Sequence, residues 1–249
     1  MVQARGLSGI ELMPWLAFAL ALIAIPGCGG PNVKTTDIPG PYQRPKLIAV
    51  APAINFSGSS DFDPIQVADL FASELTMVEG VDVVGVNRVM AVLSRQGTTE
   101  VGSPSQALSI CETIGCDGIV VMAVTEYDPY TPVVGLAAQI YMTSPEGFAS
   151  RMDPVAASRQ ASPFPVDAAE DSPLIPRGQV QRVYNGAHDA MVEKVRRFGE
   201  DRGGKDGALG WRRYLKSQRL YLRFCCWSAI KEMMGQEYHR QMAGAIAKE

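Results

Sequence analysis

Histidine is nearly absent from this chain: His188 and His239 are the only two among 249 residues. No two cysteines have CxxC spacing, and a structural zinc site needs four Cys or His ligands at short, recurring intervals. A zinc centre is therefore not expected, and no cofactor is expected either. No serine occupies the Gly-x-Ser-x-Gly elbow of a hydrolase, and no histidine-ligand motif occurs. No uncharged run reaches the roughly 20 apolar residues of a membrane-crossing helix. No pair of segments of about ten residues sustains the in–out alternation of a transmembrane β-hairpin. The region where such a hairpin could sit, 144–176, carries Pro145, Pro154, Pro163, Pro165, Pro173 and Pro176, and proline is excluded from sheet interiors.

What is present begins at the N-terminus. Leu12 to Ile25 is free of charge, too short to span a bilayer and of the length of a signal-peptide core. Arg5 precedes it, and Glu11 is an untypical residue at its edge. The run ends in Ile25, Pro26, Gly27 and Cys28, followed by Gly29, Gly30 and Pro31. Small residues before a cysteine let the chain lie extended in a peptidase cleft, and the thiol can take a diacylglycerol. This resembles the bacterial lipobox, with Cys28 as the lipidation site and Pro26 where Ala or Ser is more usual. Several acyl chains together make a durable anchor where one is marginal. The expected address is the cell envelope, with the chain held to the membrane by its N-terminal lipid and facing the periplasm. Gly29 in place of aspartate favours the outer membrane in sorting systems like those of enteric bacteria.

A removable signal over 1–27 is followed by a Gly-, Pro- and Thr-rich tether over 28–45. Lys46 to Ile54 reads as a strand buried on both faces. Ile65 to Leu75 has helical periodicity after a start at Asp61 to Pro64. Val81 to Val86 reads as a short strand, and Val89, Met90 and Leu93 mark a second helix. Ser105 to Ile114 is a third, closed by Gly115 in the left-handed position. Asp117 to Thr125 is the clearest strand, and Val133 to Thr143 returns antiparallel to it after a proline-bearing turn. This order predicts an α/β domain over 46–143, a layered mixed sheet flanked by helices. A Pro-rich connection follows over 144–176, then a helical C-terminal region over 177–249. In the latter, Gln179 to Phe198 is expected as one helix, and Trp211 onward as two helical pieces.

The remaining cysteines, Cys111, Cys116, Cys225 and Cys226, are poorly spaced for disulfides, although Gly115 can end the helix between the first two. They are expected to be buried packing residues. Charge is unevenly distributed: from Gly29 to Pro176 there are 7 basic and 17 acidic side chains, and from Arg177 to Arg223 there are 12 and 5. The bland explanation is a set of basic helices lying on an acidic domain. The sharper one is a basic face for a lipid, glycan or protein partner.

Ile48, Ala49, Val50, Ala51 and Pro52, with Asn55 and Gly58, the helix end Ala72 to Leu75, and Asn87, Arg88 and Val89 form one recognisable series. Together with Cys111 to Ile114 and Gly115 to Val121, they resemble the curli-assembly secretion (CsgG-type) lipoproteins over about 80 residues. The resemblance implies a periplasmic α/β domain of anticodon-binding-domain shape that acts in assemblies. Channel-forming members of that family add barrel hairpins, which are not evident here, so a non-channel relative is favoured over a secretion-channel subunit.

Two surface candidates remain. Glu126, Asp128 and Tyr130 stand at the mouth of the best strand, where α/β proteins place ligands. A hydrolase of an envelope polymer would draw its carboxylates from this rim, but Pro129 and Pro132 make an ordinary rigid turn the simpler expectation. Arg212, Arg213, Lys216, Arg219 and Arg223 interleave with Trp211, Tyr214, Tyr221 and Phe224. This is either a basic contact face or the solvated edge of a helix whose aromatic side is core. Export argues against nucleic acid. Gly199 to Asp206 imitates a phosphate loop, but Asp206 stands where Ser or Thr is needed and the loop follows a helix. The leading expectation is a non-enzymatic scaffold or assembly- and transport-associated lipoprotein, with an envelope protein or a second copy of itself as partner. No catalytic residue is assigned.

Overall fold

The structure is a computed structural model and describes residues 38–143, 173–203 and 208–246. The expected signal, the lipid site Cys28, most of the tether, 144–172 of the Pro-rich connection and the Gly204–Lys205 loop lie outside the described residues.

Strand β1 (Lys46–Val50) lies between β3 (Val81–Val84) and β4 (Gly118–Asp128), parallel to both. The two-residue β2 (Ile54–Asn55) pairs parallel with the upper part of β4. Strands β5 (Val133–Met142) and β6 (Gly178–Asn185) then extend the sheet antiparallel, giving the order β3-β1-β4-β5-β6. Apolar side chains on both faces explain why β1 is central. Ile48 and Val50 enter one core layer, while Ala49 enters the other, and all are fully buried. Asp117 fixes the start of the sheet. Its two oxygens accept from Lys46 Nζ at 3.0 Å and from Leu47 N–H at 2.9 Å.

Each helix starts or stops where local chemistry requires it. Asp63 caps α1 (Pro64–Leu75) by accepting from Ile65 N–H, and Pro64 follows at the first helical position. Helix α2 (Val86–Arg95) and helix α3 (Pro104–Ile114) follow, the latter capped by Ser103 and closed by Gly115 at φ +80°. Helix α1 lies on one face of the sheet, and α2 and α3 lie on the other. This arrangement is the layered mixed α/β fold expected from the sequence.

The C-terminal region departs from expectation in its first part. Gln179 to Phe198 is not one helix. Its first half is the edge strand β6, and helix α4 (Asp189–Asp201) begins only after the turn at Asn185 and Gly186. Val180, Val183 and Tyr184 fit a helical stripe on paper. Val180 and Tyr184 also fit a period of two, in which they enter the core while Gln179, Gln181 and Val183 face out. β-branched residues and an open neighbour at β5 decide for the strand. Beyond it, a 3-10 turn (Gly210–Arg212), the short helix α5 (Arg213–Lys216) and the long helix α6 (Gln218–Ile246) match the expected two-piece ending.

Helix α6 lies on the same face as α1, across β5 and β6. Phe198 of α4 stacks edge-on against Tyr214 and Phe224 at centroid separations of 5.2 and 5.5 Å, and tilted against Trp227 at 4.9 Å. Contacts of this kind add about 0.5–1.5 kcal/mol each beyond area burial.

One polar group sits inside this layer. Glu74, at the end of α1, is fully buried. Arg202, after α4, grips it with two nitrogens: Nη1 to Oε1 at 2.9 Å and Nη2 to Oε2 at 2.5 Å. Arg223 of α6 donates through Nε to Oε1 at 2.5 Å and through Nη2 to Ser73 Oγ at 3.1 Å. The Arg202 guanidinium also lies 4.6 Å from the Phe198 ring centroid, so little of it reaches water. Removing one partner of a buried pair leaves the other charge uncompensated. Glu74→Ala is expected to lower the unfolding free energy by about 3–5 kcal/mol, read as a shift of the urea midpoint. A loss below about 1 kcal/mol would place the interaction among weak surface pairs.

Candidate functional site

The rim candidates follow from how the β4–β5 hairpin is built. The ladder is regular from Gly118–Met142 up to Val124–Leu136, then slips so that Glu126 faces Gly135. This is a β-bulge, and Gly135 makes it fit: a Cβ there would come within 2.5 Å of Thr125 Oγ1 and 2.9 Å of Glu126 N. Beyond the bulge, Asp128 Oδ1 accepts from the backbone N–H groups of Tyr130 at 2.8 Å and Thr131 at 3.2 Å. These bonds hold the Asp128 carboxyl below the usual carboxylate range. Asp128 therefore serves the turn. Glu126 is exposed beside the bulge, and Tyr130 is 94% exposed at the tip.

The two sequence candidates meet at one place. A groove of about 340 Å³ is lined by Tyr127, Asp128, Tyr130, Leu215, Lys216 and Gln218 among others. Gln218 clamps the hairpin tip to the C-terminal helices, accepting from Tyr127 OH at 3.1 Å and donating to Pro129 C=O at 3.0 Å. Glu126 does not line this groove. Of the basic set, Arg212, Lys216 and Arg219 are exposed, whereas Arg213 is half-buried with its guanidinium 5.4 Å from the Tyr214 ring. Arg212 stands 4.8 Å from the Trp211 ring, and Arg223 is spent on Glu74.

A larger feature was not anticipated. On the sheet, helices α2 and α3 pack over Val84 of β3, over β1 and over the Ile119–Tyr141 end of the β4–β5 hairpin. The rest of that sheet face has no helix over it among the described residues. Three cross-strand rows line it: Val121, Gln139 and Gln179; Ala123, Ala137 and Gln181; and Glu126, Gly135 and Val183. Phe56, 69% exposed, borders it, and the cleft there measures about 530 Å³. Its polar lining combines amides with one ion pair: Gln139 accepts from Tyr141 OH at 2.8 Å and donates to Gln179 Oε1 at 3.5 Å, and Arg182 meets Glu232 at 2.9 Å. Small apolar and amide side chains, with Glu126 and the Arg182–Glu232 pair at the margins, make a contact surface for backbone or apolar groups.

The edge of the sheet adjoins this face. Gln179 N–H points away from β5 and donates to Gln236 Oε1 at 3.0 Å. In an antiparallel ladder every second residue points the same way, so Gln181 and Val183 direct their backbone groups to the same outer edge. Val183 is 54% exposed there. The sequence signal was the alternation of small residues, Ala123, Thr125, Ala137 and Gln139, opposite the large ones that enter the core.

No family model matches the chain, and no curated protein matches it. Solved structures do resemble it. Lipoprotein GNA1162 from Neisseria meningitidis is 14% identical, with a TM-score of 0.40, covering 66% of this chain and 100% of that one. The C-terminal domain of LpoB from Salmonella enterica is 14% identical, with a TM-score of 0.33, covering 41% and 74%. PelC from Paraburkholderia phytofirmans, solved as a dodecamer, is 16% identical, with a TM-score of 0.27, covering 41% and 65%. The first of these is a lipoprotein by name. These are likenesses at low identity and low score, and no functional assignment is drawn from them. Among the described residues, no helix is long and apolar enough to cross a membrane.

The role of Asp128 has a pH signature. A carboxyl whose folded pKa is depressed contributes stability above its unfolded pKa and loses it as pH falls through the folded value. Amide exchange at Tyr130 and Thr131 is expected to lose protection on acidification below the ordinary carboxylate range. In Asp128→Ala that protection is expected to be absent already at neutral pH. Unchanged protection in the variant would show that the turn stands without the side chain.

Proposed function

We propose that this chain is a lipid-anchored envelope protein, a non-enzymatic scaffold or assembly- and transport-associated lipoprotein. Its working surface is the open sheet face and its β6 edge. A protein partner adds a strand beside Gln181 and Val183 and covers the Ala123–Ala137 row, and a second copy of this chain is a partner of that kind. The single observation that carries this is the half-covered sheet: an exposed edge beside a face of mainly small apolar and amide side chains. Unprotected edges are pairing templates, and folded proteins ordinarily blunt them. Address comes from the lipobox-like Gly27–Cys28, and kinship with the CsgG-type lipoproteins from the motifs between Lys46 and Thr125. The exposed Arg212, Lys216 and Arg219 extend the proposal to a basic contact near the hairpin tip. The Glu126–Tyr130 rim is not assigned catalysis, because Asp128 is engaged in its turn.

Two measurements test this reading separately. Cells grown with labelled palmitate are expected to yield a labelled chain, and Cys28→Ser is expected to abolish the label. A label that survives the substitution would refute the anchor. A photo-cross-linking residue in place of Gln181 is expected to give a discrete higher-mass product in cells, whereas one in place of Glu112, on the outer surface of α3, is not. The absence of product at position 181, with the protein folded and in the envelope, would remove the docking surface.

A further inference from the structure

The end of α3 holds two thiols that no part of the scaffold role uses. Gly115 N–H donates to Glu112 C=O at 3.2 Å, and Cys116 N–H donates to Cys111 C=O at 3.0 Å. With Gly115 left-handed, these are the two bonds of a Schellman motif. That motif brings the residue after the glycine back over the last helical turn, where an apolar contact usually closes it. Here both contact positions are cysteine. Their Sγ atoms are 2.6 Å apart, inside the ordinary contact distance of two thiols. Both are buried in the layer formed by α2, α3 and the sheet. Five positions along a straight helix would keep them apart, but the reversal at Gly115 removes that obstacle without further backbone movement.

We infer that Cys111 and Cys116 are a disulfide-forming pair, a covalent lock that fastens the end of α3 to the start of β4. The oxidant is a small-molecule or protein disulfide, and oxidised glutathione is the one used in the test. Cys116 Sγ, as thiolate, attacks one glutathione sulfur, breaking that S–S bond and releasing one glutathione. Cys111, after losing its proton, attacks Cys116 Sγ and releases the second glutathione. The protein loses two S–H bonds and gains one S–S bond, and the oxidant's S–S bond becomes two thiols. Cys116 is the natural first nucleophile. The hydrogen bond from Cys111, with backbone N–H groups near Cys116, holds its thiol below the ordinary range, while that bond and burial push Cys111 up. The lock also bears on Asp117, the next residue, whose carboxylate holds Lys46 and Leu47 at the root of β1. Cys225 and Cys226 provide an internal reference. They are buried in the aromatic layer of α6, and desolvation raises both thiols.

The test uses the full chain, reduced, unfolded and then diluted into a mixture of reduced and oxidised glutathione. It is quenched in acid, alkylated under denaturing conditions and mapped by mass spectrometry. The peptide containing Cys111 and Cys116 is expected to be lighter by two hydrogens and free of alkyl label, while Cys225 and Cys226 carry it. The oxidised-to-reduced ratio of the pair is expected to exceed that of the chain kept in denaturant by about tenfold or more, because folding holds the thiols together. In Cys111→Ser, Cys116 is expected to stop at the mixed disulfide with glutathione. If the wild-type chain does not refold, natively purified chain in the same mixture gives the same reading. Alkylation of both cysteines in the folded chain, or pairing of either with Cys225 or Cys226, would overturn the inference.

Discussion

A carboxylate cut off from water holds the two ends of this fold together. Glu74 comes from α1, early in the chain, and its partners Arg202 and Arg223 lie 128 and 149 residues further on. An unpaired carboxylate at that depth would be prohibitive, so the C-terminal region cannot settle anywhere else on the domain without leaving a charge exposed to the core. The pairing sets where α4 and α6 lie. With α6 held against α1, its Phe224, Ile230 and Met233 cover β5 and β6 on that side, and β6 gains a surface to pack on. The aromatic layer of Phe198, Tyr214, Phe224 and Trp227 joins α4, α5 and α6. The acidic front and basic rear of the sequence are thus, in part, two halves of one internal contact.

The same placement leaves the opposite side unfinished. Helices α1 and α6 cover one side of the sheet along its length, whereas α2 and α3 on the other are set over the β3–β1–β4 half. What remains is a patch of alanine, glycine and glutamine at an open edge. It suits another protein's backbone and apolar side chains. The hairpin tip, braced by Asp128 within and Gln218 from outside, keeps the end of that surface rigid.

Much of this was legible beforehand, for reasons that differ by element. The run Asp117 to Thr125 could only be a buried strand, and Asp63 with Pro64, and Gly115 after Ile114, are local signals that tertiary packing did not need to override. β6 was misread because Val180 and Tyr184, four apart, satisfy both periods and Val183 completes a helical stripe, while the deciding factor, a free hairpin edge at β5, is not local. Glu74 could not be singled out, since a glutamate in an amphipathic helix ordinarily faces water, and its partners are far along the chain. For the same reason Arg223 looked like a member of a surface cluster with Arg212, Lys216 and Arg219. The cysteines were read as buried, which they are. Yet the contact between Cys111 and Cys116 depends on the return of the chain after Gly115, and spacing alone argued against it.

Native-state hydrogen exchange in rising denaturant tests the central claim, that the C-terminal helices and the α/β domain are one cooperative body joined at Glu74. The account predicts that the most protected amides of α1, between Val67 and Leu75, and of α6, between Leu222 and Met233, merge into a single opening with the free energy of global unfolding. An α6 that opens at a clearly lower free energy while α1 and β4 stay protected would contradict it.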